Sequence, residues 1–185
     1  MNKILRVILL LMFFILPTAE AIAKINVFPK PRYIPALSFY GDSGKAYKLS
    51  DFNDDMLIAV VWSKKCGPCI ADLKHLNKFA KKVEKQGIKV ILISPESEWK
   101  TVDERRMFLL RVGGGGLISY LDRKANFRDG MGLRVTPTAI LVNRNHEEVG
   151  QITGSVEWDD EDVMEYIVNL KNESLKQLDE QEAAD

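Results

Sequence analysis

Met56-Leu57-Ile58-Ala59-Val60-Val61-Trp62-Ser63-Lys64-Lys65-Cys66-Gly67-Pro68-Cys69 is the stretch on which the fold turns. Its first seven residues form an unbroken apolar run, as a strand buried on both faces requires. Beyond the cysteines, Ile70, Leu73, Leu76, Phe79, Ala80 and Val83 recur at three- and four-residue spacing. Lys74, Lys78, Lys81, Lys82 and Lys85 take the other side, which makes this an amphipathic helix, and Gly87 stops it. A Cys-x-x-Cys pair therefore stands where a buried strand gives way to a helix.

That setting has chemical consequences. Cys66 falls at or near the first helical positions, where unpaired backbone N–H groups carry partial positive charge and favour thiolate over thiol. Cys69 lies about one turn further in, close enough to close a small ring with Cys66. Pro68 has no N–H to leave unpaired and a fixed φ suited to a first turn. Gly67 lets a partner's backbone come near the sulfur. In this arrangement Cys66 attacks a disulfide and Cys69 resolves the mixed disulfide that forms. Two other readings exist for such a pair. Half of a zinc site would need two further ligands, and the chain offers only His75, on the same helix, and His146, in a distant hairpin. A purely structural disulfide would close too short a loop to add much stability.

Working outward, Ala36–Tyr40 and Ala46–Leu49 flank the turn Gly41-Asp42-Ser43-Gly44 and read as an amino-terminal β-hairpin. Ile88–Ile93 is a second buried strand, Pro95–Glu98 a loop, and Val102–Arg111 a helix. Gly113–Gly116 is irregular, Leu117–Leu121 a short strand, and Asn126–Leu133 a weak helical turn. Thr138–Val142 and Glu148–Thr153 are strands joined by Asn143–Glu147, and Asp159–Leu170 is a closing helix. The expected class is α/β, with a mostly parallel central sheet flanked by helices on both faces.

The ends read differently. Lys3 and Arg6 precede or interrupt the apolar Ile4–Leu16 segment, Pro17 breaks it, and Ala21-Ile22-Ala23 has the A-x-A form of a cleavage site. Residues 1–23 are expected to be a secretory signal peptide. The uninterrupted run Val7–Leu16 is far short of the roughly 20 residues of a spanning helix. An uncleaved anchor through residues 4–16 is the alternative. Residues 24–34, with Pro29 and Pro31, are expected to be an extended arm, 35–170 one domain, and 171–185 a polar, acidic, frayed tail. A domain of that size buries roughly 68–70% of its unfolded surface, so it needs no disulfide staples. Lys plus Arg and Asp plus Glu balance at 26 each, which points away from nucleic acid as a partner.

Several segments together resemble the TlpA/ResA branch of the thioredoxin superfamily. They are Pro35-Ala36-Leu37-Ser38-Phe39, Leu49-Ser50-Asp51-Phe52, Trp62 four residues before Cys66, Val135-Thr136-Pro137-Thr138-Ala139-Ile140-Leu141-Val142, and Gly154-Ser155-Val156-Glu157-Trp158. The resemblance spans about Pro35 to Leu170. It implies a thioredoxin-like fold with a central mixed β-sheet, and an exported, periplasmic protein-disulfide reductase without a cofactor or metal. It further implies a cis peptide at Thr136-Pro137 facing the cysteines, and a substrate surface drawn from Trp62, Gly67, Pro68, Thr136 and Pro137. A Gly-Pro pair between the cysteines is typical of the superfamily's reductants. The implied partners are a disulfide-bearing client, from cytochrome c or cytochrome oxidase copper-centre maturation, and a membrane thiol electron donor. A disulfide oxidase or isomerase on the same fold, or a copper-binding chaperone, are the alternatives. Glu96, in Ile93-Ser94-Pro95-Glu96-Ser97, matches a glutamate that the resemblance places near the cysteines, with Cys69's proton as its cargo.

The sequence departs from that branch in two places. Lys64-Lys65 stand where Trp is usual before the first Cys; they read as a solvated pair, with a lowered Cys66 pKa or attraction of an acidic client surface as the alternative. Gly113–Gly116 replaces a compact polar turn and reads as a flexible connector.

Overall fold

The structure, a computed structural model, describes residues 23–183. The leader reading therefore lies outside the described residues except for Ala23, as do the last two residues of the tail. Among the described residues no helix is long and apolar enough to cross a membrane.

Eight strands make one sheet. They are β1 (Lys24–Arg32), β2 (Phe39–Tyr40), β3 (Ala46–Tyr47), β4 (Met56–Val61), β5 (Ile88–Pro95), β6 (Ile118–Asp122), β7 (Thr138–Asn143) and β8 (Glu148–Thr153), in the order β1-β8-β7-β4-β5-β6-β2-β3. Only β4–β5 and β5–β6 pair in parallel; the other pairings are antiparallel. The sheet is thus mixed rather than mostly parallel, because the hairpin β7–β8 returns beside β4.

Every residue of β4 is buried, and its alternation sorts the interior into two layers. Met56, Ile58, Val60 and Trp62 face a cluster shared with Leu73, Leu76 and Phe79 of α1 (Gly67–Val83), Leu109 of α2 (Val102–Arg111) and Ile167 of α4 (Glu161–Glu182). Leu57, Ala59 and Val61 face Phe39, Tyr120, Phe127 and Leu133, the Phe127 coming from the short α3 (Asn126–Gly130).

Three expectations are corrected. The arm is an edge strand. Ile25 pairs with Ile152 and Val27 with Gly150, and the register then slips before Arg32 so that Pro29 and Pro31 need donate nothing to a ladder. The tail is helical to Glu182, because Lys171, Ser174 and Leu178 prolong the buried stripe begun by Ile167. Arg144 of the β7–β8 turn also donates to Asp179 at 3.0 Å, holding the far end of α4 down. The four glycines are a packed contact rather than a loose connector. Gly113 takes φ +83° to end α2, and a Cβ on Gly116 would lie 2.6 Å from Asn77 Oδ1 on α1. Asn77 Nδ2 donates to the Gly113 carbonyl at 2.8 Å, which ties the segment to α1.

Candidate active site

Cys66 is the N-cap of α1, with extended backbone, and its sulfur lies 3.2 Å from the Cys69 amide nitrogen. Pro68 occupies the first turn. Cys66 and Cys69 are joined by a disulfide with Cα atoms 5.2 Å apart. Cys66 is half-buried and Gly67 and Pro68 exposed, whereas Cys69 is buried in the α1 cluster. The asymmetry suits one attacking and one resolving sulfur.

The loop ahead of the cysteines is lashed down. Glu98 accepts from Ser63 Oγ at 2.6 Å and from the Lys64 amide at 2.8 Å. Lys64 Nζ turns away to Glu104 at 2.8 Å and lies over the Trp99 ring. That bond, followed by one from the Lys100 amide, holds the Glu104 carboxyl below its ordinary value. Lys64 therefore spends its charge on α2 and not on Cys66, while Lys65 is exposed. Of the two lysines proposed to lower the Cys66 pKa, Lys64 is thus paired elsewhere.

Opposite stands the Thr136-Pro137 peptide, which is cis. The Thr136 carbonyl oxygen is 3.4 Å from Cys66 Sγ. In the disulfide that sulfur has no proton to donate; in the dithiol its S–H can bond to the carbonyl. The Gly154 amide donates to the Pro137 carbonyl at 2.9 Å, which seats the segment after β8 beside the proline. Pro68, Asp72, His75, Thr136, Pro137 and Glu157 line a groove of about 610 Å³ beside the cysteine pair. Ala23 also lines it.

Sequence reasoning overlooked two carboxylates and misplaced two groups. Asp72, only 8% exposed, accepts from Ser155 Oγ and, at 3.3 Å, from the Val156 amide. Burial pushes its carboxyl above the ordinary value, against the pull of those hydrogen bonds and of nearby His75. The available signal was its spacing, three residues beyond Cys69 on one helix. Glu98, not Glu96, reaches the cysteine loop; Glu96 accepts instead from Arg123 Nε at 2.9 Å, on the β6 side of the sheet. Trp62 is 1% exposed, packed against Trp99 and Phe108 at ring separations of 5.9 and 6.2 Å. As the last inward residue after β4 it supports the site from beneath and presents nothing to a substrate. His75 Nδ1 pairs with Asp159, and His146 Nε2 lies 3.1 Å from the Phe52 carbonyl. The two histidines thus belong to different parts of the molecule.

The redoxin family model matches residues 30–168, from β1 into α4. The chain belongs to the redoxin family. This redoxin is 29% identical over 113 residues to the thiol-disulfide oxidoreductase ResA of Halalkalibacterium halodurans, a match that covers 61% of the chain and 62% of ResA. It is 29% identical over 104 residues to the thiol:disulfide interchange protein DsbE of Vibrio cholerae, covering 56% of the chain and 53% of that relative. The matched region thus spans a little over half the length of these two proteins. Among solved structures, a Chlorobium tepidum protein assigned as a thiol:disulfide interchange protein DsbE superposes with a TM-score of 0.64 at 23% identity, over 78% of this redoxin and 98% of that chain. A thiol:disulfide interchange protein from Bacteroides gives 0.62 at 16% identity, over 78% and 91%. At these identities the superpositions show the fold, which is thioredoxin-like.

Proposed function

We propose that this redoxin is an exported thiol-disulfide oxidoreductase that reduces disulfides of periplasmic client proteins through the Cys66–Cys69 pair. The reading rests on one juxtaposition: a half-buried sulfur at a helix N-terminus, 3.4 Å from the Thr136 carbonyl of a cis-proline loop, with an open groove lined by Pro68 and Pro137 alongside. An extended client segment laid along Thr136 and Pro137 brings its own disulfide to Cys66. The Cys66 thiolate attacks one client sulfur and the client's S–S bond breaks. The other client sulfur leaves as a thiolate and takes a proton. Cys69 then displaces the client from Cys66, leaving the client reduced and the pair oxidised. Helix α1 favours the thiolate at Cys66 in the first step and again when Cys66 is the leaving group on re-reduction.

Reduction as the direction is supported by Gly67-Pro68 and by the ResA and DsbE relatives. Export is supported by the leader-like residues 1–23, and it makes a membrane thiol donor the source of electrons. Haem-attachment cysteines of apocytochrome c, or copper-centre assembly proteins of cytochrome oxidase, are the clients this reading favours. Equilibration with a thiol redox buffer tests the direction. A reduction potential near thioredoxin's, about −270 mV, is expected, and one near about −120 mV would make the chain an oxidant. Cys69→Ser, which stalls the mixed disulfide on Cys66, recovers the client covalently for identification.

A further inference from the structure

We propose that the cleft between α2, the start of β6 and the β2–β3 turn binds a small amphiphilic monocarboxylate, its head on Arg105 and Arg106 and its apolar body on Leu110 and Ile118. The proposal goes beyond the oxidoreductase reading and does not rest on it.

Helix α2 buries Arg105 and Leu109 on one stripe, so a guanidinium stands where an apolar side chain would pack at no electrostatic cost. Arg105 is only 2% exposed. Taking that charge out of water is expensive unless it is paired and hydrogen-bonded. Its Nη2 donates to Asp42 Oδ1, in the turn between β2 and β3, and lies 3.5 Å from the Ser119 carbonyl oxygen. Both contacts use one nitrogen of a fork that carries five N–H donors. Asp42 does not serve Arg105 alone, since its Oδ2 accepts from Arg106 Nη2 at 2.8 Å. Two guanidiniums thus share one carboxylate, and burial lowers the Arg105 pKa in spite of it.

These groups border a cavity of about 540 Å³, a size that suits a small ligand. Leu117 belongs to the α1-face layer and Tyr120 to the other, so strand alternation puts Ser119 on the α2 side. Ser119 lines the cavity, and its buried Oγ has no hydrogen-bond partner among the described residues. A buried hydroxyl left unpaired is costly, and a ligand oxygen would satisfy it. The cavity also has an apolar side, because Leu110 and Ile118 line it and are exposed.

Charge selects the head group. The charged residues lining the cavity are Arg105, Arg106 and Asp42, which leave one net positive charge. A single carboxylate neutralises that charge and a dianion overshoots it. A planar carboxylate also matches the guanidinium fork in shape. Leu110 and Ile118 select the body, because covering them is favourable only for apolar surface. Asp42 already holds the two guanidiniums as a ligand carboxylate would, so the two compete for them.

Titration of isotope-labelled protein with octanoate, read by the amide shifts of Asp42, Leu110 and Ser119, tests this. Saturable shifts are expected there, with acetate and octanol each binding at least about tenfold more weakly, because head and body both contribute. Asp42→Asn should tighten octanoate binding about tenfold, since the competing charge is gone. Octanoate should also raise the Tm of that variant more than that of wild type. Arg106→Gln should weaken binding about threefold and Leu110→Ser about fivefold. Both positions are exposed, so these two variants carry the test where Asp42→Asn does not fold. The proposal is overturned if octanoate gives no saturable shift, binds no better than acetate or octanol, or binds Asp42→Asn no tighter than wild type. Saturation confined to Val135 and Thr136, beside the cysteines, overturns it as well. Cys66→Ser, which abolishes disulfide exchange, should leave the titration unchanged, so this proposal and the oxidoreductase reading stand or fall separately.

Discussion

On the face of the sheet away from α1, Phe39 meets Tyr120 and Phe127 edge to face, with ring centroids 5.0 and 5.4 Å apart. On the α1 face, the buried cluster contains a sulfur, Cys69, and the same helix buries a carboxyl at Asp72. One layer combines aromatic and aliphatic packing and contains neither cysteine. The other has to hold reactive groups whose charge changes during the reaction, inside the same few ångströms as its apolar side chains. Both layers hold the fold together, but the cysteines and Asp72 lie on the α1 side of β4 alone, so the far layer can be perturbed without touching them.

Two truncations of similar size break the comparison if it is wrong. Phe127→Ala, on the aromatic face, should cost about 3–5 kcal/mol in urea unfolding and leave the Cys66 thiol titration where it was. Trp62→Ala should cost about as much but also change the exchange kinetics, because that ring packs in the cluster against which Cys66 and Cys69 sit. Equal kinetic effects from both would show that the faces are not divided.

Smaller effects sharpen it through pH. Asp159, held down to about 2, adds stability that is present above its ordinary value of 3.8 and lost as pH falls toward 2. Asp159→Asn should therefore match wild type only in acid, when both are titrated with urea. Asp72 has the opposite sign. Its raised pKa favours the folded state below 3.8 and works against it as pH rises through its folded value. Wild type should accordingly lose stability relative to Asp72→Asn over that rise. The smallest expected change is in Lys64→Ala with Lys65→Ala, where the exposed pairs are worth roughly 0.2–1 kcal/mol. Thiol titration should show Cys66 moved by a few tenths of a unit at most, since Lys64 is paired with Glu104.

How far the sequence discloses this division depends on how local each signal is. β4, α1 and β5 are legible because an apolar run, or a three- and four-residue spacing, is complete within one segment. The cysteine pair and its strand-to-helix setting are legible for the same reason. β1 is not, since its prolines argue against a strand until β8 supplies an edge to lie on. The last turns of α4 are spelled in polar letters. Lys171 and Ser174 are buried there by what lies across from them, which no window of the sequence contains. Asp72 hides among the lysines of α1, and only Ser155 and Val156, more than eighty residues away, distinguish it from a solvated aspartate. Glu96 and Glu98 stand two residues apart in one segment, and the choice between them is made by Arg123 and Ser63.

The segment after β8 is fastened to the proline loop through Gly154 and to α1 through Ser155 and Val156. A substitution in this strip reaches the proline loop and α1 together while leaving Cys66-Gly67-Pro68-Cys69 unchanged. Anyone redesigning the chain for a new client would do well to vary this strip and leave the cysteine motif alone.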